Sequence, residues 1–182
     1  MKKVVKFGGS SLASAEQFKK VGEIIRADKE RKFAVPSAPG KRFDGDTKVT
    51  DMLYACYDLA ESGKDFKEQL KAIRERYQEI IDGLALKISL DDEFKTIEKQ
   101  FKDKAGKDYA ASRGEYLNGI IMAAYLGFEF VDAAGVVRFD ENGDFDAGTT
   151  NELMQARLNA LDAAVIPGFY GAYADGSVKT FS

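Results

Sequence analysis

The 182-residue sequence contains no histidine and no tryptophan, and it has only one cysteine and three prolines. Without histidine, the chain cannot form the Ser-His or Cys-His pairs of nucleophilic catalysis, and it has no imidazole for a general base or a metal site. The single cysteine, Cys56, excludes an internal disulfide and favours a reducing cytoplasm. Any chemistry must therefore use lysine, arginine, carboxylates, hydroxyls and backbone dipoles.

The sequence also lacks a long apolar run and an excess of charge of one sign. No stretch is long and apolar enough to predict a membrane span, and no signal-peptide pattern follows Met1. Lys plus Arg total 27 and Asp plus Glu total 30, so the net charge is -3. This balance argues against a basic surface for nucleic acid or an anionic membrane. With 45% hydrophobic and 31% charged residues, we expect one globular domain, or one domain and a piece.

The first dozen residues combine a short strand, a glycine-rich turn and a helix start. Residues 3–7 predict a buried strand, 8–11 predict a turn, and Ser14 has the position of a helix cap. Backbone N–H groups in such a turn suit a phosphate, and Lys6 can add a positive charge. The pattern is neither a Walker motif nor G-x-G-x-x-G, so an ordinary strand-to-helix turn is an open alternative.

Apolar periodicity along the rest of the chain predicts alternating helices and strands. Helices are predicted at 47–59, 66–83, 89–101, 109–126 and from Thr149. Strands are predicted at 33–40, at 128–133 and at 163–173, the last of them broken by Pro167-Gly168 and Gly171. Residues 136–139 either extend the strand at 128–133 or form its neighbour. Cys56 lies in the apolar stripe of the helix predicted at 47–59, which favours a buried, inert thiol. Asp175-Gly176 predicts a two-residue hairpin. The pattern predicts an α/β three-layer sandwich with a mostly parallel sheet, and a ligand site at the carboxyl ends of its strands.

Four motifs resemble those of the aspartokinases, in the amino acid kinase superfamily. The stretch from Lys6 to Ser11 is similar to the opening signature of that family. Val35–Ala38, followed by Val49-Thr50-Asp51, is similar to its second strand and the next helix start. Ser112–Glu115 resembles a Ser-x-Gly-Glu motif, and Ile166–Gly171 resembles the strand before an active-site hairpin. The resemblance covers essentially the whole sequence, and it departs from the family at Pro36 and in an expanded loop over 40–47.

The resemblance implies transfer of the ATP γ-phosphoryl group to the β-carboxylate of L-aspartate, the first step toward lysine, threonine and methionine. It implies Mg²⁺ bridging the nucleotide phosphates, with few or no protein ligands. A carboxylate acceptor is already ionised at neutral pH, so the absence of histidine is no obstacle. The site residues that it implies are Lys6 for catalysis, Gly8, Gly9 and Ser10 for phosphate, and Ser37, Thr50 and Glu115 for the substrate, with Glu115 pairing with the α-ammonium group.

The resemblance also has an implication for the extent of the protein. The family continues past Ser182 into an Arg-Gly-Gly-Ser-Asp segment, a nucleotide pocket and regulatory ACT domains. Residues 1–182 therefore resemble the N-terminal, substrate-binding part of the catalytic domain, and we expect little kinase activity from them alone. We also expect an exposed sheet edge or apolar face to allow homo-oligomers.

Other interpretations stay open for the same residues. Lys6 could extend from a strand end into solvent, and Glu115 could simply complement a helix dipole. Ser37 and Thr50 could be turn or helix-start caps. For the whole chain, the alternatives are a kinase for glutamate, acetylglutamate, carbamate or UMP, and a non-catalytic binding module.

Overall fold

The computed structural model describes residues 1–181, which are arranged around a four-stranded parallel sheet. Its strands are β1 (Lys3–Phe7), β2 (Arg31–Pro36), β3 (Glu129–Phe130) and β4 (Ala164–Val165), in the spatial order β1-β2-β4-β3. Every neighbouring pair is parallel. A separate antiparallel hairpin joins β5 (Tyr170–Ala172) to β6 (Val178–Thr180). The predicted α/β class with a mostly parallel sheet is confirmed.

The helices connect the strands and supply most of the core. In chain order they are α1 (Ala15–Arg26), α2 (Val49–Glu61), α3 (Lys67–Gly83), α4 (Asp91–Lys102), α5 (Lys107–Leu126), α6 (Ala133–Val136) and α7 (Ala147–Leu158). Helix α5 is central, since it contacts α2, α4 and strands β2, β3, β4 and β6. Among the described residues, no helix combines the length and apolar character that crossing a bilayer requires.

The two faces of the sheet contribute to two separate hydrophobic cores. Alternate residues of a strand point to opposite faces. Ala34 and Val165 therefore enter the larger core with α1 to α5, while Phe33 and Ala164 enter a smaller core that also includes residues of α6, α7 and the hairpin. Cys56 is buried in the larger core, as predicted, and burial raises the pKa of its thiol to about 12.

The strand predicted over 128–133 is much shorter in the structure. Only Glu129 and Phe130 pair with the sheet, because Asp132 caps α6 by accepting a hydrogen bond from the Ala134 N–H at 3.0 Å. The prediction that 136–139 extends or flanks this strand is wrong, since Val136 belongs to α6 and Arg138 instead bridges to Ala172.

The strand predicted over 163–173, with breaks at Pro167-Gly168 and Gly171, is two strands in two different sheets. Strand β4 ends before Pro167, and Phe169, with a φ of 74°, turns the chain toward the hairpin. The hairpin itself is confirmed, but its loop has three residues instead of two. Its closing bond runs from the Tyr173 N–H to the Ser177 carbonyl at 2.9 Å, and Gly176 adopts the positive φ that this loop type requires.

Candidate active site

A cavity of about 480 Å³ opens where strands β1 and β2 end. This is the edge at which open parallel sheets bind ligands. Its lining residues come from the turn after β1, the loop after β2 and helices α2 and α5, namely Gly9, Ser10, Ser37, Ala38, Pro39, Gly40, Lys41, Lys48, Thr50 and Glu115. A larger cavity of about 800 Å³ lies between the hairpin and the start of α7, and it contains none of the residues predicted for the site.

Two glycines that line the cavity, Gly9 and Gly40, come together where their backbone segments cross. The Gly40 N–H donates to the Gly9 carbonyl at 2.8 Å. A Cβ atom on Gly40 would lie 2.6 Å from the Gly9 carbonyl carbon, and one on Gly9 would lie 2.9 Å from the Ala38 carbonyl oxygen. Larger residues would therefore push the two segments apart. The predicted helix start is confirmed, because Ser14 is the N-cap of α1 and its hydroxyl accepts a hydrogen bond from the Gln17 N–H at 3.4 Å. A 3₁₀ turn over Gly9–Leu12 lies between β1 and this cap.

Glu115 is a buried carboxylate on helix α5. Its side chain accepts a hydrogen bond from the Ala38 N–H at 3.1 Å through Oε1, while Oε2 has no partner within residues 1–181. Burial raises the pKa of this carboxyl to about 7. Glu115 is also two turns from the start of α5, where Asp108 occupies the first turn, so the helix dipole does not explain its position. A cationic group in the cavity would find an unused acceptor here.

Ser37 and Thr50 both line the cavity on segments whose backbone is fixed. The Ser37 N–H donates to the Phe7 carbonyl at 3.1 Å, and its carbonyl accepts from Asn118 Nδ2 at 2.7 Å. Thr50 is the second residue of α2. The N-cap of this helix is Lys48, and no side chain caps the helix start within the described residues. The helix-cap alternative therefore does not apply to Thr50.

The structure brings five of the seven predicted site residues into one cavity, and two lie outside its lining. Lys6 and Gly8 are exposed at the end of β1, next to the lining residues Gly9 and Ser10. Asn118 was not predicted; it holds the Ser37 carbonyl from outside the cavity lining, and its Oδ1 is buried without a partner in the described chain. Its spacing of three residues from Glu115 places both on one helix face and could have indicated it.

Two lysines that line the cavity were also missed, Lys41 and Lys48. They belong to the loop between β2 and α2, where the sequence shows no motif that would single them out. For metal binding, residues 1–181 contain no group of three or more histidine, cysteine or acidic side chains that could hold an ion.

The family model described as the amino acid kinase family matches residues 1–181. The chain belongs to the amino acid kinase family. Its relatives include Aspartokinase 3 of Bacillus subtilis, which is 39% identical over an alignment that covers 99% of this chain and 43% of that protein. This family member therefore spans less than half the length of that relative.

Solved structures of aspartate kinases resemble this amino acid kinase family member over its whole length. The crystal structure of Clostridium acetobutylicum aspartate kinase matches with a TM-score of 0.96 and 48% identity, covering 100% of this chain and 42% of that one. The structure of E. coli aspartokinase III in complex with aspartate and ADP matches with a TM-score of 0.80 and 24% identity, covering 99% and 43%. The second likeness shows the shared fold.

The glycine crossing predicts a position-specific effect on stability. We expect Gly40→Ala to lower the free energy of unfolding by about 1–3 kcal/mol, because the new Cβ meets backbone that cannot move aside easily. Gly8→Ala is the matched control, since a Cβ there has nothing within 4 Å and should change stability by less than about 0.5 kcal/mol. Urea denaturation of both variants measures this, and equal effects would contradict the crossing.

The buried Glu115 predicts a pH dependence of stability. The pKa is about 7 in the folded chain and about 4.3 in an unfolded one. Between these values the folded chain keeps a proton that the unfolded chain has lost. The carboxyl therefore contributes stability that is fully present below about pH 4.3. This stability is lost as the pH rises to about 7, and the loss is at most about 4 kcal/mol.

The Glu115→Gln variant keeps the acceptor for the Ala38 N–H but cannot titrate. We expect urea denaturation at about pH 5 and about pH 8 to show a drop in stability for the parent chain and a smaller drop for the variant. The exposed Glu68, replaced by Gln, is the control and should behave like the parent. Identical pH dependence in all three proteins would show that Glu115 is not the buried titrating group.

Proposed function

We propose that residues 1–182 form the substrate-binding part of an aspartate kinase catalytic domain, which transfers the ATP γ-phosphoryl group to the β-carboxylate of L-aspartate. Ser182 lies outside the described residues. The observation that carries the proposal is the buried Glu115 carboxylate, which has one oxygen without a partner within residues 1–181 and lies in a cavity that Ser37 and Thr50 also line. The 48% identity with an aspartate kinase of known structure supports the same acceptor.

Glu115 is proposed to bind the α-ammonium group of the substrate. An ammonium group beside Oε2 would give the buried carboxylate the partner that it lacks, and it would favour the ionised form. Ser37 and Thr50 are proposed to donate hydroxyl hydrogen bonds to the substrate carboxylates, since each lines the same cavity as Glu115. The substrate would thus be held by one ion pair and two neutral donors.

The turn after β1 is proposed to bind the phosphates. Gly8, Gly9 and Ser10 would offer backbone N–H groups, and Lys6 would neutralise the charge that develops on the transferred group. The place of Lys6 outside the cavity lining fits a role toward the phosphates better than a role toward the amino acid. The acceptor carboxylate is ionised at neutral pH, so these residues need no general base.

ATP and Mg²⁺ are the proposed cofactors. Because residues 1–181 hold no cluster of acidic side chains suited to a metal, we propose that Mg²⁺ arrives with the nucleotide and takes its ligands from the phosphates, where it neutralises negative charge. More than half the length of the aspartate kinase relatives has no counterpart in this chain. We therefore propose that turnover belongs to the whole protein, while residues 1–182 supply amino acid recognition.

Two further parts of the proposal concern surroundings and assembly. The exposed edge strand β1, where Val4 is 66% exposed, is proposed to allow homo-oligomers.

A reducing cytoplasm is proposed as the location, since Cys56 is a free thiol.

The proposed substrate predicts selective binding that depends on Glu115. We expect the 182-residue chain to bind L-aspartate better than L-glutamate or UMP in an NMR titration. Glu115→Gln should weaken L-aspartate binding by about tenfold, because a neutral amide replaces the partner of the ammonium group. Glu68→Gln is the control with the same charge change at an exposed site. If the parent shows no preference for L-aspartate, or if Glu115→Gln binds it equally well, the proposed substrate is wrong.

A further inference from the structure

The loop over 40–48 brings two lysines to the cavity from opposite ends of one closed segment. Its neck is closed by the Val49 N–H, which donates to the Pro39 carbonyl at 3.1 Å. Lys41 lies just after the start of the loop and Lys48 at its end, so this closure sets them on the same side of the molecule. Both residues line the cavity that contains Glu115.

The loop is held from behind by a buried arginine on α3. Arg76 is only 3% exposed, and its Nη1 pairs with Asp46 Oδ2 at 2.6 Å. Its Nη2 donates to the Gly40 carbonyl at 2.7 Å. Arg42 also pairs with Asp46, at 3.0 Å, and the two arginines hold the pKa of that carboxyl well below its usual range. These contacts fix the loop before any ligand arrives, so its lysines are carried on a preorganised backbone.

The cavity has a negative side chain at a buried position and two positive side chains at exposed positions. Glu115 is 6% exposed, whereas Lys41 and Lys48 are exposed. Arg42 and Asp46 make the ion pairs of this loop within residues 1–181. Neither lysine has a carboxylate partner among these residues. A ligand that satisfies this arrangement carries one positive group at its inner end and negative groups at its outer end.

We propose that Lys41 and Lys48 bind the acidic groups of the amino acid whose ammonium group pairs with Glu115, and that the loop over 40–48 is therefore a specificity element for acidic amino acids. The inference rests on the proposed function, since L-aspartate carries one ammonium and two carboxylate groups. It adds two specificity-determining residues that the motifs do not indicate. A nucleotide phosphate carries the same sign of charge, so the test has a separate arm for it.

The test compares the 182-residue parent chain with the Lys41→Gln, Lys48→Gln and double variants, using NMR titrations. We expect the double variant to bind L-aspartate about fivefold more weakly, because two ion pairs at a partly exposed site contribute modestly. Binding of L-asparagine, which lacks the side-chain carboxylate, should weaken by only about twofold. Lys64→Gln removes the same charge from an exposed lysine outside the cavity and should leave both affinities unchanged.

The outcomes separate this inference from the proposed function. If the parent chain does not bind L-aspartate, the proposed function fails and the inference fails with it. If the parent binds L-aspartate but the double variant binds it as tightly as Lys64→Gln does, only the inference is overturned. Tripolyphosphate is the probe for a phosphate role of the lysines. If the double variant binds tripolyphosphate more weakly than the parent does but binds L-aspartate equally well, the inference is also overturned. The single variants keep the comparison informative if the double variant unfolds.

Discussion

The buried carboxylate of Glu115 is the constraint on which the rest of the site depends. Removing a carboxylate from water is costly unless its oxygens find partners. Within residues 1–181, Oε1 accepts from the Ala38 N–H and Oε2 has no partner. That single bond joins the central helix α5 to the segment that follows strand β2. Burial raises the pKa of this carboxyl to about 7 and so favours its neutral form, whereas an ammonium group beside Oε2 would favour the ionised form.

Small residues let the backbone segments around this carboxylate approach each other. A Cβ on Gly114 would lie 2.7 Å from the Cβ of Ala38, and the crossing of Gly9 with Gly40 is equally tight. The helix that bears Glu115, the loop after β2 and the turn after β1 therefore meet without intervening side chains. This close backbone packing explains why these positions carry glycine or alanine.

Local patterns predicted the helices and the main parallel strands, but the sequence does not show which sheet a strand joins. In the apolar stretch 163–173, Pro167-Gly168 indicates a break in the strand, but the sequence does not show that the residues after the break join a different sheet. Asp132 has the pattern of a strand residue but caps a helix. A motif sufficed to find Glu115, while its unpaired oxygen could not be predicted. Lys41 and Lys48 were missed because only a long-range contact, the loop closure, brings them to the cavity.

The pKa of the Glu115 carboxyl, measured by carbon-13 NMR with and without saturating L-aspartate, is the most direct test of the proposed ammonium site. We expect a value near 7 in the free chain. With L-aspartate bound, the pKa should fall toward or below the ordinary glutamate value of about 4.3, because the ammonium group stabilises the ionised carboxylate. A pKa that L-aspartate leaves unchanged, while the ligand demonstrably binds, would contradict the central claim that Glu115 holds the ammonium group.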